Sequence, residues 1–284
     1  MKKVGMVIVN YNDSSNTINL INNVSKYKVI NKIVVVDNKS TDDSYNILKA
    51  FESDKVHIVL SENNYGYSSG INIGTNYLIN LYRDCYIIVS NTDIVINNEK
   101  DIIELITNFD QEDIGVVMPQ VLENGKYKKG WKLTSVNEDL LCNIPFINRF
   151  YRNKFIYYKD SYFDERCSIV DVIYGCFFII DSRVLEEVNY FDENTFLYYE
   201  EYILARKLRK LSIKSVINNK VVIEHHHNAT IGSNVSLLNK FKIYKKSQLY
   251  YEKNYNNANI FQMLLFYIFY YIGLFLLRVK LLFK

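Results

Sequence analysis

The chain is predicted to fold as an α/β protein: a central, mostly parallel, twisted sheet flanked by helices, followed by an apolar and basic helical tail. Three observations predict it. Four short apolar runs, Val4 to Val9, Lys32 to Val36, Val56 to Leu60 and Tyr86 to Val89, have the length and continuity of strands buried on both faces. Between the first two, Ile18, Ile21 and Val24 recur at helical spacing, and strand, helix, strand in that order makes a right-handed βαβ unit. Nearly half of the 284 residues are hydrophobic and only two are proline, which supports a sizeable core and excludes a disordered or collagen-like chain.

Taken in order, the N-terminal run MKKVGMVIVNYN is too short in its apolar part for a signal peptide and passes straight into strand and turn. The body is therefore expected in the cytoplasm. Cys85, Cys142, Cys167 and Cys176 form no Cys-x-x-Cys pair, which fits free thiols in a reducing compartment. Each strand ends in a polar cluster: Asn10-Tyr11-Asn12, Asp37-Asn38-Lys39-Ser40, Ser61-Glu62-Asn63-Asn64 and Ser90-Asn91-Thr92-Asp93. Open parallel sheets bind ligands just outside these carboxyl ends. The first βα turn lacks G-x-G-x-x-G and the chain has no G-x-x-x-x-G-K-[ST] loop, which argues against a hydride-transfer dinucleotide enzyme and against a phosphate loop.

Asp37 followed by Ser40-Thr41-Asp42 can set a carboxylate against a base or ribose while a side chain caps the next helix, though the same pattern also serves as a plain cap. From Asn64 to Gly74, the glycines Gly66 and Gly70 before Asn72 permit a tight turn and close approach of backbone to a ligand, and Gly74 lets a helix pack on the sheet. An ordinary Gly-rich loop has the same composition. Asp93, with Asn91 two residues earlier, can bind a hard divalent cation that in turn takes the two phosphates of a sugar nucleotide.

From Glu200 onward, Ile203, Leu204, Leu208 and Leu211 keep helical spacing while Arg206, Lys207, Arg209 and Lys210 fill the other face. Glu200 and Glu201 fall in the first turn, where the helix dipole favours their charge. Acids placed there to complement the dipole would look the same, but His225-His226-His227 returns after another apolar run. Paired carboxylates beside an imidazole are what an enzyme needs to deprotonate one group and hold a metal near another. The histidine triplet also fits a metal tract or a solvated edge.

The tail differs in character. From Lys240 to Lys284 the net charge is +7, against −4 for residues 1 to 239. Ile260 to Leu277 is almost wholly apolar and about long enough to cross a bilayer. Tyr267, Tyr270 and Tyr271, continuing through Leu274 to Arg278, give a stripe suited to the headgroup layer, and keeping Arg278, Lys280 and Lys284 on the cytoplasmic side fits the positive-inside tendency. An in-plane anchor is expected rather than a span, with a core helix or a dimer helix as the alternatives.

In this order the motifs resemble the inverting glycosyltransferases of family 2, with the GT-A fold, and most closely the bacterial rhamnosyl- and galactofuranosyl-transferase branch, over roughly residues 4 to 255. Val7 to Asn12 and Val35 to Asp42 correspond to the family's opening strand and nucleoside-binding Asp turn, Asn64 to Gly74 to its N-x-G-x-x-x-G-x-N-x-G element, and Asn91-Thr92-Asp93 to its Asp-x-Asp or Asn-Pro-Asp site. The resemblance implies donor contacts from Asn10, Tyr11, Asn12, Asp37, Asn64, Gly66, Gly70, Asn72, Asn91, Thr92 and Asp93, and Mg2+ or Mn2+ held by Asp93 and His225. It makes Glu201 the general base beside Glu200. Gly175, Asp192 and Tyr199 fall on the acceptor side, and Thr230 falls where a small hydroxyl residue is usual. Residues 1–100 would be the sugar-nucleotide half, 101–238 the acceptor and catalytic half, and 239–284 a membrane-associating tail.

The implied partners are a dTDP-, UDP- or GDP-linked sugar, a lipid-linked saccharide, the inner face of a bacterial cell membrane and a second copy through the tail, with no nucleic acid. The implied role is bacterial surface polysaccharide synthesis, such as capsule or O-antigen. The chain departs from the family's Glu-Asp-x-Asp-Leu-x-x-Arg helix at Glu201, Ile203 and Lys207, and Ser212 stands for the closing glycine. Ile203 removes a carboxylate that often helps at the acceptor site, so a membrane-docked, catalytically weak binding or scaffold protein is the alternative. A sugar-phosphate nucleotidyltransferase shares the α/β plan but needs a basic Gly-rich loop where Asn10-Tyr11-Asn12-Asp13 stands.

Overall fold

The computed structural model describes residues 2–144, 147–226 and 236–283. His227 and Thr230 lie outside the described residues. One ten-stranded sheet organises the chain in the order β3-β2-β1-β4-β9-β6-β10-β5, with β7 on the edge of β6 and β8 against β10. The strands are β1 Lys3–Asn10, β2 Lys32–Asp37, β3 Val56–Leu60, β4 Cys85–Ser90, β5 Ile94–Val95, β6 Ile114–Glu123, β7 Lys126–Lys128, β8 Cys167–Val170, β9 Phe177–Asp181 and β10 Lys214–His225. β3, β2, β1 and β4 run parallel, as the apolar runs predict; β9 is antiparallel between β4 and β6, and β10 is parallel to β6.

Both faces of the sheet are covered, because alternate side chains of one strand enter different cores. Val4, Met6 and Ile8 pack with Leu20, Ile21 and Val24 of helix Ser14–Val24 on one side, whereas Val7 packs with Ile71 and Leu78 of helix Tyr67–Tyr82 on the other. Gly70 and Gly74 set the second contact: a Cβ would lie 2.7 Å from Val9 Cγ1 at Gly70 and 2.5 Å from Val7 Cγ1 at Gly74. Both glycines therefore bring the helix onto β1.

Helix Leu237–Asn254 closes over the helix Glu200–Lys210, where Tyr251 joins Tyr199 and Ile203 in a separate buried cluster. Ile203, only 1% exposed, is thus a packing residue between two helices. Beneath this contact, Glu252 is fully buried, and Asn256 Nδ2 donates to both Glu252 Oε2 at 2.9 Å and Asp139 Oδ2 at 3.3 Å. Burial first, and the neighbouring Asp139 charge second, push the Glu252 carboxyl up to about 9, and burial also raises Asp139. A carboxyl whose proton affinity rises on folding stabilises the fold fully below its unfolded value near 4.5, and that contribution is lost as pH climbs towards 9. The melting temperature should fall from pH 5 to pH 9, and Glu252→Gln should flatten the decline; a Glu252→Gln curve parallel to wild type would remove this pair as the cause.

The terminal helix Ile260–Leu282 packs on Leu237–Asn254 and on Val136–Asn143. Tyr270 stacks on Phe241 with centroids 6.0 Å apart, Gly273 approaches the same ring, and Phe266 and Leu274 are buried. The tyrosine stripe is therefore split: Tyr270 and Leu274 face the protein, while Tyr267 and Tyr271 stand exposed with Phe261, Leu264, Ile268 and Phe275. Helical wheel spacing alone cannot separate these faces, because both are apolar. All four cysteines are free thiols, as expected.

Candidate active site

A cavity of about 1250 Å³ opens at the carboxyl ends of β1, β2 and β4. It is lined by Tyr11, Asn12, Asn64, Gly66, Asn91, Thr92, Asp93, Gly175, Tyr199, Glu200, Glu201 and His225. Asn10, Asp37, Gly70, Asn72 and Asp192 stand behind its wall. Asp37, fully buried, accepts from Asn10 Nδ2 at 2.8 Å, Ser40 Oγ at 2.7 Å and Ser40 N at 2.9 Å. Ser40 Oγ in turn accepts from Asn12 N at 2.9 Å, so Asp37 fixes the turn that presents Asn12. Asn72 accepts from Phe191 N and donates to Phe191 O and Glu193, which ties the glycine helix to the Phe191 turn. Asp192 Oδ2 accepts from Tyr250 and Tyr255 and anchors helix Leu237–Asn254.

Gly66 has φ +105°, and a Cβ there would come within 2.3 Å of Phe196 O. Tyr67 N donates to that same Phe196 carbonyl at 2.9 Å, and Asn38 Nδ2 donates to Gly66 O at 2.9 Å. The loop after β3 is thus closed against the Phe196 turn, and only glycine fits the contact.

At the floor, His225 sits between two carboxylates. Its Nε2 is 3.0 Å from Asp93 Oδ1 and its Nδ1 is 2.9 Å from Glu123 Oε2, which also accepts from Tyr174 OH at 2.5 Å. The antiparallel pairing of His225 with Ile94 brings the imidazole beside Asp93, and His226 N donates to Asp93 O at 2.9 Å. Burial opposes a charge on His225, but Asp93 and Glu123 outweigh it and raise its proton affinity. With Nδ1 committed to Glu123, Nε2 is the nitrogen presented to Asp93 and the cavity. Among the described residues no three or more His, Cys, Asp or Glu side chains gather as a metal cage. One carboxylate and one imidazole fit a Mg2+ or Mn2+ ion that keeps waters and takes its remaining oxygens from a diphosphate.

Two consecutive tyrosines, Tyr198 and Tyr199, hold left-handed φ of 72° and 75° just before helix Glu200–Lys210. Bulky residues adopt this conformation at a cost of order 1–3 kcal/mol each and need surrounding support. Ser247 Oγ donates to Leu197 O at 2.8 Å, and the Tyr199 ring packs on Tyr202, Tyr244 and Tyr251. The turn delivers both acids to the cavity. Glu201 lies directly on Gly175, where a Cβ would be 2.1 Å from Glu201 Oε1. Burial raises Glu201, opposed by amide hydrogen bonds from Glu201 itself and Gly175. Burial first and the Glu201 charge second push Glu200 up to about 8, and Glu200 Oε1 has no hydrogen-bond partner among the described residues. Backbone amides support both acids, but the Glu201 charge raises Glu200 and not the reverse, so the charge falls on Glu201 and the proton on Glu200.

Residues 6–188 match the family described as Glycosyl transferase family 2, well over half of the chain. The chain belongs to glycosyltransferase family 2. This glycosyltransferase is 27% identical over 235 residues to the low-salt glycan biosynthesis hexosyltransferase Agl10 of Haloferax volcanii, covering 80% of this chain and 68% of that one. Its fold is that of the mannosyltransferase PcManGT from Pyrobaculum calidifontis, solved with GDP-Man and Mn2+ (TM-score 0.59, 11% identity, 89% of this chain and 64% of that one). It is likewise that of GalNAc-T7, solved with UDP, GalNAc and Mn2+ (TM-score 0.62, 13% identity), of which the chain spans only 48% while 89% of the chain is covered.

The matched family region stops before Glu200, Glu201 and His225, so those three rest on the geometry given above. The sequence reading missed Glu123, Tyr174, Trp131 and Arg152 in this glycosyltransferase. Glu123 had one available signal, an acid closing the apolar run of β6, but its contact with His225 spans 102 positions. The closeness of Gly175 to Glu201 gives a direct test. Gly175→Ala should leave the melting temperature near wild type, because the side chain that must move is the free end of Glu201, yet lower transfer at least tenfold by displacing the acid. Unchanged transfer in Gly175→Ala would separate that contact from catalysis.

Proposed function

We propose that this glycosyltransferase moves a hexose such as rhamnose or galactose from a dTDP-, UDP- or GDP-linked donor to a hydroxyl of a lipid-linked saccharide. The transfer inverts the anomeric centre and serves bacterial surface polysaccharide synthesis at the cytoplasmic face of the membrane. The supporting observation is that Glu201, seated on Gly175, lines the same cavity as the Asp93–His225 pair. The acceptor hydroxyl gives its proton to Glu201 as its oxygen bonds to the anomeric carbon, and the carbon–phosphate-oxygen bond breaks with its electrons leaving on the nucleoside diphosphate. A Mg2+ or Mn2+ ion held by Asp93 and His225 would offset the charge of that leaving group. Asn12, Asn64 and the Gly66 backbone line the donor end, and Glu200 keeps the acid pair at one negative charge. A panel of dTDP-rhamnose, UDP-galactose, UDP-galactofuranose, UDP-glucose and GDP-mannose tests the reading: one donor should be bound and slowly hydrolysed, and failure of all five would overturn it.

The outer face of the terminal helix supports an in-plane membrane anchor. Ile260, Phe261, Leu264, Tyr267, Ile268, Tyr271, Ile272, Phe275 and Leu276 are exposed along one side, while the opposite side is packed on the protein. The helix is long and apolar enough to cross a bilayer, but a helix packed along one side is suited to lying on the membrane. Deleting residues 260–284, which spares the buried Asn256, should release the protein from anionic vesicles and slow transfer to a lipid-linked acceptor more than hydrolysis of the soluble donor. Equal vesicle binding with and without the helix would defeat the anchor.

A further inference from the structure

A cavity of about 1250 Å³ is larger than the roughly 300–1,000 Å³ that usually holds one small ligand. The end occupied by Asn12, Gly66 and Asp93 is polar. The other end, beyond Glu201, is walled by rings from separate parts of the chain: Trp131, Tyr157, Tyr158, Tyr202 and Tyr244. Trp131 is 5.7 Å from Tyr202, which is 5.0 Å from Tyr199, which is 5.4 Å from Tyr244. The wall is fixed by backbone pairing, with Trp131 N donating to Val172 O at 2.9 Å and Lys132 N to Ile156 O at 3.1 Å. Rigid aromatic faces of this kind stack on the apolar faces of sugar rings, and the hydroxyls around them bind the rims.

Arg152 brings a positive charge into this wall. Arg152 lines the cavity, half-buried, beside the Cys142 thiol and the hydroxyl-bearing rings of Tyr244, Tyr202, Tyr157 and Tyr199. Among the described residues no carboxylate lies within salt-bridge distance of it. Behind it, Lys245 donates to the neutral side chains of Asn143 and Gln248. Burial and then the Arg152 charge press the Lys245 ammonium down to about 8. The nearest acids, Asp139 and Glu252, offset this only in part: they are turned to Thr134, Asn256 and each other. Arg152 faces the open volume with a second cation, Lys245, behind it and no carboxylate among the described residues paired to it, so its charge is left for a bound anion to satisfy.

We infer that Arg152 and the Trp131–Tyr202 wall form an acceptor subsite for a saccharide bearing an anionic group, a phosphate or a carboxylate. The inference rests on the sugar-transfer reading of the cavity only for the word acceptor; the binding itself stands on the wall and the cation. A guanidinium reads either oxyanion in bidentate fashion, so the phosphate of a lipid carrier and the carboxylate of a uronic acid share the same chemistry.

Binding of phenyl phosphate, phenyl β-glucuronide and neutral phenyl β-glucoside to the whole chain, measured by calorimetry or ligand-observed NMR, tests it. At least one anionic probe should bind on the order of tenfold tighter than the glucoside, the ratio a single charge-assisted hydrogen bond provides. Arg152→Gln should erase that preference, Arg152→Lys should keep part of it, and Asp93→Ala should leave it in place. Tyr202→Ala should weaken the glucuronide and the glucoside alike. Preference for phenyl phosphate assigns the anion to a phosphorylated carrier, and preference for the glucuronide assigns it to a uronic acid. Equal binding of all three probes by the wild-type chain, or a preference that survives Arg152→Gln, overturns the inference, whereas absence of donor hydrolysis would fall on the transfer reading alone.

Discussion

Asp93→Ala is expected to abolish sugar transfer and to weaken binding of the nucleoside diphosphate, with little loss of fold. The proposed donor carries two adjacent phosphates, and the chain has no phosphate loop to balance them. Asp93 lies at the end of the β4 cluster, and its carboxylate faces His225 across 3.0 Å at the cavity floor. Removing it leaves an imidazole alone, a poor site for a hard cation that prefers oxygen. The strand pairing that holds the neighbourhood uses the Asp93 carbonyl, which accepts from His226 N, and alanine keeps that carbonyl. The measurement is nucleoside-diphosphate affinity with and without Mn2+: wild type should gain affinity with metal and Asp93→Ala should not. Turnover that persists undiminished in excess chelator would refute metal use here.

The parts of this molecule that the sequence makes legible are those whose physics is local. β1 to β4 are readable because strands buried on both faces must be continuously apolar, and the polar cluster at the end of each marks the ligand side of the sheet. Helix Glu200–Lys210 is readable from its spacing, and with it the first-turn position of Glu200 and Glu201. What is hidden is what the tertiary fold decides. Asp37 and Asn72 stand in motifs that point to a ligand, yet their side chains are turned to Asn10, Ser40 and Phe191, one layer behind the cavity. Glu123 is joined to His225 only because β6 and β10 lie side by side. Trp131 and Arg152 belong to a stretch with neither strand nor helix periodicity, and no pattern marks them before the cavity is seen. The terminal helix fails in another way: its hydropathy is plain, but an all-round apolar helix does not reveal which side meets the protein.

Glu201→Gln should lower transfer by a factor on the order of a hundred to ten thousand while leaving the fold and donor affinity nearly unchanged. Glutamine keeps the shape that fits against Gly175 and cannot accept the acceptor's proton. Glu200→Gln should cost less, because Glu200, pushed up to about 8 by burial and by its neighbour, already holds its proton at neutral pH. The pH dependence follows the same sign. The base must be ionised to act, and burial raises Glu201 above the ordinary glutamate range, so the wild-type rate should climb with pH through a value higher than 4.5 and fall away on the acid side. Because Glu200 keeps its proton while Glu201 titrates, Glu200→Gln should leave that limb close to its wild-type position. Single-turnover rates under saturating donor, across pH 5 to 9, rank the two variants without interference from nucleotide affinity. If Glu200→Gln is dead while Glu201→Gln transfers at near wild-type rate, the proton goes to Glu200 and the contact with Gly175 only positions the helix; if neither change matters, proton transfer in this cavity uses another group and the base assignment fails.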